Sequence, residues 1–301
     1  MHKLGGLTYY AMNRPDCTLT TRWTPRTGPV PAAATAGGTL RTYADGGPAD
    51  AVLVWFPYAG GTASQVAAWR DQLPAGVGLS AVQYPGRADR LREPRPAALA
   101  DLAGEVADAL ETRDLAARAI LWGHSLGALV ALETVRELER RGRAPRALVV
   151  TGRRAPGRPG AFDDLAELDD DALVDALAAM DPGSGAAGLR GEARDYWLGL
   201  VRADASLAAG ALAASDPERP ASVTVPIVAA TGSQDPAALV TDLHEWSAFS
   251  TAPVTVAHLA GGHLGAVATP DAVLAVLTDA DLLPAPPGAH ARTLRRDGDH
   301  T

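Results

Sequence analysis

The chain has 301 residues, a formal net charge of −8, a pI of about 5.3 and one cysteine, Cys17. That length suits one large α/β domain carrying an insertion, and the acidic balance without any basic block argues against nucleic acid as a partner. A single cysteine permits neither an intrachain disulfide nor a thiolate metal cluster, and with no apolar run near the length of a membrane span a cytoplasmic protein is expected.

Residues 1–38 lack sustained periodicity, carry Arg14, Asp16 and Arg22 where a secretory signal would be apolar, and finish in a Pro/Ala/Gly-rich stretch from Gly28 to Gly38. They read as a flexible arm, with Cys17 inert inside it, ahead of a catalytic domain over 39–283. Ala51 to Phe56 is a continuous apolar run ended by Pro57, which suits a parallel strand covered on both faces. Leu79–Gln83, Ala119–Trp122, Ala147–Val150, Val225–Ala230 and Val254–Leu259 have the same character. Between them, Leu99, Leu102, Ala103, Val106 and Leu110 recur at the spacing of one helix face, as do Leu126, Leu129, Val130 and Val135. The alternation predicts an α/β fold, a mostly parallel sheet with helices on both faces. From about 162 to 212 there is no strand candidate, only helical segments at Ala172–Met180 and Tyr196–Leu212. This stretch reads as an inserted helical lid, with a pair of ordinary surface helices as the alternative. Residues 284–301, proline-rich and then charged, read as a disordered tail.

Gly123-His124-Ser125-Leu126-Gly127 matches the G-x-S-x-G nucleophile elbow, where a serine tops a strand-to-helix corner too tight for side chains on either side. The strand candidate before it and the helix candidate after it supply the context the motif needs. A serine hydroxyl is weakly nucleophilic without a neighbouring base, and in the fold built on such an elbow the acid and then the histidine follow the serine. Of seven histidines, His2, His290 and His300 lie in the terminal arms, His124 in the elbow, His244 on a predicted helix and His258 within a strand. His263 follows the last strand and an Ala260-Gly261-Gly262 turn, where the general base belongs. Asp235 ends the segment after strand 225–230; it suits a cap for a helix Pro236–Trp246, but its place between Ser125 and His263 favours the orienting acid. A tetrahedral oxyanion needs two backbone donors. The amide of Leu126 is one candidate, and the glycine-rich segment Pro57–Gly61 offers the other, Ala59 first and Tyr58 second, unless it is a plain glycine turn. The sequence shows no metal or cofactor motif.

Several segments together resemble the type II thioesterases that accompany modular polyketide synthases and nonribosomal peptide synthetases. They are Phe56-Pro-Tyr-Ala-Gly-Gly61, Gln83-Tyr-Pro-Gly-Arg87 with Asp89-Arg90, Gly123 to Ala128, Arg202-Ala-Asp204, Gly232 to Asp235, Trp246 and Gly261-Gly-His263, collinear over about 50–280. The resemblance implies an α/β-hydrolase fold and hydrolysis of acyl or aminoacyl thioesters on the phosphopantetheine arm of an acyl or peptidyl carrier protein, removing blocked or wrongly primed units. It places Ser125, Asp235 and His263 at the triad positions and Ala59 in the oxyanion segment, and implies no cofactor beyond the phosphopantetheine of the substrate. A monomer is expected. Where such proteins follow the histidine with phenylalanines, this chain has Leu264, Gly265 and Ala266. Where they carry aromatic residues after Arg-Ala-Asp, it has Ala205, Ser206, Leu207, Ala208, Ala209, Gly210 and Ala211. These small residues reshape the expected acyl pocket and motivate a second reading, an acyltransferase or cyclising release enzyme using the same acyl-serine. Two others are a non-catalytic binding protein on the hydrolase fold and a generic carboxylesterase.

Overall fold

The computed structural model describes residues 3–4, 7–10, 38–47, 50–157, 163–181, 188–213 and 222–284. Cys17 with most of the expected arm, Phe162, and the tail 285–301 lie outside the described residues. Among the described residues, nine strands form one sheet: β1 (Lys3–Leu4), β2 (Leu7–Tyr10), β3 (Leu40–Ala44), β4 (Val52–Phe56), β5 (Gly78–Val82), β6 (Ala119–His124), β7 (Ala147–Thr151), β8 (Ile227–Gly232) and β9 (Val254–Leu259). Their order is β1-β2-β9-β8-β7-β6-β4-β5-β3. Every pairing from β2 through to β5 is parallel, and β1 and β3 close the two edges antiparallel.

The apolar runs form the central strands because they have no solvent face: every residue of β4, β5, β6, β7 and β8 is buried. On one face, α1 (Leu99–Thr112) and α2 (Leu126–Arg140) set Leu102, Val106, Leu129 and Val135 in a core with Val54, Leu121 and Val150. On the other, a 3-10 segment, Ala63–Gln72, and α6 (Pro270–Asp279) cover Leu53, Trp55 and Trp122. A short helix α5 (Gly265–Ala268) precedes α6. Trp122 is packed against both Trp55 and Trp69, each with ring centroids 4.3 Å away.

The chain runs outward from β4 to β5, then returns to the other side of β4 at β6 and proceeds through β7 and β8 to β9. The reversal lies between β4 and β6, and in open parallel sheets a ligand crevice forms at the carboxyl ends beside such a switch point. Between β7 and β8, the described residues hold α3 (Asp170–Met180) and α4 (Gly191–Ala213) and no strand. Their apolar faces make a separate small core of Leu165, Leu173, Met180, Leu198, Val201 and Ala205, with Ala59 and Ala237 of the sheet's loops packed against it. Asp169 caps α3, its carboxylate accepting from the Ala172 N–H at 2.9 Å.

Three features differ from the sequence reading. Within the expected flexible arm, the backbone at Lys3–Leu4 and Leu7–Tyr10 extends the sheet, β2 lying parallel to β9; Leu-Thr-Tyr-Tyr are residue types that suit a pleated strand. The antiparallel strand β3 was hidden by its half-buried pattern. The expected helix Pro236–Trp246 is displaced, with irregular backbone after Asp235 and a 3-10 helix at Val240–Phe249.

Candidate active site

β6 ends at His124 and α2 begins at Leu126, leaving Ser125 alone on the corner with φ 53° and ψ −115°. A non-glycine residue rarely adopts this conformation. Its N–H is held by the carbonyl of Thr151 on the next strand at 2.9 Å. The flanking glycines answer a need for space. A Cβ on Gly123 would stand 2.1 Å from the Gly127 carbonyl oxygen, and one on Gly127 would stand 2.0 Å from that of Phe56. Leu126 is the first residue of α2, so its N–H has no intrahelical acceptor.

Past the end of β9, His263 places Nδ1 3.0 Å from both carboxylate oxygens of Asp235, whose side chain is 0% exposed. Asp235 Oδ1 also accepts the Ala237 N–H at 2.8 Å, and Oδ2 lies 3.0 Å from the Thr231 hydroxyl donor. The local bond that sequence reasoning ascribed to helix capping and the contact with the imidazole therefore coexist on one carboxylate. An Nδ1–H donated to Asp235 leaves Nε2 as the basic nitrogen.

The electrostatics around this pair follow from burial. His124 is fully buried, its Nδ1 2.9 Å from the Thr151 hydroxyl, which also accepts from Trp122 Nε1 at 3.0 Å. Burial first, and the neighbouring His263 second, hold its pKa well below the usual imidazole range. Its ring centroid is 4.8 Å from that of His263, so a neutral His124 spares His263 the repulsion of a second cation. The Tyr58 phenol is pushed up to about 12 by burial and then by the Asp181 carboxylate, and it stays protonated. Gln65 donates to its hydroxyl.

Ser125 opens onto two cavities. One of about 250 Å³ is lined by Tyr58, Gln65, Asp181, Trp197 and His263 together with Ala59. The other, about 50 Å³, meets Ser125 from the side of Ala59 and Leu126, and its walls include Arg153, Ala205 and Ala208. Ser125, Ala59 and His263 thus converge, with Leu126 and Asp235 directly behind them. Tyr58 lines the larger cavity, and its carbonyl accepts the Gly61 N–H at 2.8 Å. Sequence reasoning named no role for Asp181, Arg87 or Asp204. Asp181 accepts the N–H of Leu264, next to His263, at 3.1 Å. Arg87 and Asp204 stood within the quoted family segments, which was the one signal available. Among the described residues, no group of three or more His, Cys, Asp or Glu side chains is arranged to hold a metal ion. None of the described helices is long and apolar enough to cross a membrane.

A mostly parallel sheet, a serine on a strained strand-to-helix corner and an Asp–His pair at neighbouring carboxyl ends define an α/β hydrolase. Residues 51–280 match the thioesterase domain model, and the chain belongs to the thioesterase family. It is 36% identical over 214 residues to thioesterase PikA5 of Streptomyces venezuelae, covering 70% of this chain and 74% of that one. To the probable cadicidin biosynthesis thioesterase of Streptomyces griseus it is 32% identical over 240 residues, covering 79% of this chain and 64% of the relative. Among solved structures it is similar to the RedJ thioesterase of the prodiginine pathway in Streptomyces coelicolor, with TM-score 0.70, 34% identity, and 86% and 98% of the two chains covered. It is also similar to YbtT, a type II thioesterase from the yersiniabactin pathway, with TM-score 0.71, 27% identity, and 81% and 96% covered.

Proposed function

We propose that this thioesterase hydrolyses acyl or aminoacyl thioesters borne on the phosphopantetheine arm of a carrier protein, as an editing enzyme of polyketide or nonribosomal peptide synthesis. The observation that carries the reading is the strained Ser125 beside an imidazole whose Nδ1 is held by the buried Asp235. Ser125 is the nucleophile: its Oγ attacks the thioester carbonyl as His263 Nε2 takes the proton, and Asp235 stabilises the imidazolium. The N–H groups of Leu126 and Ala59 receive the oxyanion, each worth about 3 kcal/mol in comparable sites. His263 then protonates the departing thiolate, and a water activated by the same nitrogen releases the acid from Ser125.

The two cavities divide the substrate. The leaving sulfur must lie within reach of His263, so the pantetheine arm belongs in the larger cavity with Tyr58, Gln65 and Trp197. The acyl group then lies on the side of Arg153, Ala205 and Ala208, under the helices α3 and α4, which act as a lid screening the acyl chain from bulk solvent while the hydrolytic water reaches Ser125 from the side of His263.

The test is turnover of carrier protein loaded with acetyl or propionyl groups. Wild-type protein should release free acid and Ser125→Ala should release none; persistent hydrolysis by Ser125→Ala sinks the assignment. A product of full-length carrier-bound chain lighter by one water would instead identify cyclising release.

A further inference from the structure

The segment after β4 is a β-turn, Tyr58 to Gly61, closed by the Gly61 N–H on the Tyr58 carbonyl at 2.8 Å. Gly60, at its third position, has φ 75°, which fits type II geometry. The Tyr58 carbonyl and the Ala59 N–H belong to one planar trans peptide, so holding the carbonyl turns that N–H to the opposite side. The next peptide, Ala59–Gly60, is the one whose flip interconverts type I and type II turns. Its N–H does not rely on the turn for a partner. It donates at 2.8 Å to Oδ2 of Asp204, on α4, 144 residues away.

Asp204 is 2% exposed and Arg87 1%. The guanidinium grips the carboxylate with both ends, Nη1 to Oδ2 at 2.7 Å and Nη2 to Oδ1 at 2.6 Å, and Nη1 also lies 3.3 Å from the Gly61 carbonyl. Tyr84, three residues before Arg87, donates its hydroxyl to the Pro57 carbonyl at 3.1 Å. The turn is therefore clamped at Pro57, Gly60 and Gly61 by groups from the strand β5 side and from the insertion, while Ala59 between them faces Ser125 across both cavities.

We propose that Arg87 and Asp204 are positioning residues for the reaction: Asp204 locks the Ala59–Gly60 peptide in its type II orientation, Arg87 aligns Asp204, and together they aim the Ala59 N–H at the oxyanion. The inference rests on the reading of Ser125 as nucleophile and Ala59 as donor. It makes the insertion part of the apparatus that binds the transition state as well as a cover for the acyl group.

The experiment compares two variants free of the buried charges. Arg87→Met with Asp204→Asn keeps a neutral acceptor for Gly60; Arg87→Met with Asp204→Leu has nearly the same shape and no acceptor. Both should lose kcat on an acetyl-carrier thioester, and the second, with no acceptor for the Gly60 N–H, should turn over ~10- to 100-fold more slowly than the first with little change in KM. Affinity for an acyl trifluoromethyl ketone, which forms a tetrahedral adduct on the serine, should fall by the same factor in the second variant. A purely structural pair would leave that ratio of adduct affinity to KM unmoved, and equal kcat in the two variants overturns the proposal. Should the leucine variant not fold, Asp204→Asn alone decides: its amide oxygen still accepts the Gly60 N–H but cannot take both ends of Arg87, so folded protein should lose kcat about 3- to 10-fold with KM little changed and adduct affinity falling in step, and unchanged kcat overturns the proposal. Failure of the underlying reading shows separately, as turnover that survives Ser125→Ala.

Discussion

The α-carbon of Gly127 sits so close to Phe56 that a methyl group placed on it would stand 2.0 Å from the Phe56 carbonyl oxygen and 2.7 Å from that of Pro57. The first turn of α2 is thereby pressed against the end of β4. The two segments that hold Leu126 and Ala59 are set side by side, the arrangement two donors need to share one oxyanion. Gly127→Ala must push these segments apart, at a cost of about 1–3 kcal/mol or more. Thermal melting should show a clear drop in Tm and turnover should fall further than Tm accounts for; a variant with unchanged Tm and kcat would contradict the contact.

Asp235→Asn keeps the size of the side chain and removes its charge. Asparagine can offer an N–H where the imidazole Nδ1 needs an acceptor, which favours the wrong tautomer. In serine hydrolases with this arrangement the cost is about 10⁴-fold in kcat. Steady-state kinetics should show that loss with KM little altered, and a loss below about 10-fold would remove Asp235 from the mechanism.

His124 makes stability depend on pH in a definite direction. Its folded pKa is depressed below 6.5, so beneath about pH 6.5 the unfolded chain binds the proton and the folded protein does not. The stabilisation associated with the neutral ring is complete above pH 6.5 and is lost as pH falls below it, by about 1.4 kcal/mol per pH unit. Denaturant titrations of wild type and His124→Asn between pH 7 and pH 5 should diverge in slope by roughly that amount. Parallel profiles would mean that His124 is already charged in the folded protein.

The smaller cavity predicts chain-length selection. Ala208 forms part of its wall on α4, and a phenylalanine there occupies space that a longer acyl chain requires. Ala208→Phe should lower kcat/KM for a hexanoyl thioester by at least 10-fold relative to acetyl, a difference of about 1.4 kcal/mol. An unchanged ratio between the two substrates would place the acyl group elsewhere.

The strand-to-helix corner at Ser125 and the buried strands were legible in sequence because each depends on residues adjacent in the chain, and the positions of Asp235 and His263 were legible because each follows closely on an apolar strand run. A run such as Val52–Phe56 announces burial on both faces, and Gly123 and Gly127 announce a backbone approach. β3 was not legible, since Leu-Arg-Thr-Tyr-Ala is half exposed at a sheet edge and lacks a clear period. Nor were the partners of Gly60 and Leu264. The carboxylates that accept their N–H groups are 144 and 83 residues distant, and nothing local marks Asp204 or Asp181 as facing a loop of the sheet. The departure from a regular helix after Asp235 was hidden for a related reason, because the backbone there bends to satisfy a carboxylate that also serves His263.

Those two long-range bonds have an engineering consequence. Ser125 is held by its N–H on the Thr151 carbonyl and its elbow is pressed on Phe56 at Gly127, while the insertion joins the reactive loops at Asp181 and Asp204. The insertion also meets the rest of the domain through Tyr196 on the Gly86 carbonyl and Arg95 on the Gly199 carbonyl, and it is a cassette in which these two aspartates are the plugs into the loops beside Ser125 and His263. A chimera that imports another family member's insertion can exchange the walls of the acyl pocket wholesale, provided it carries an aspartate to each plug and leaves Arg87 to receive one of them.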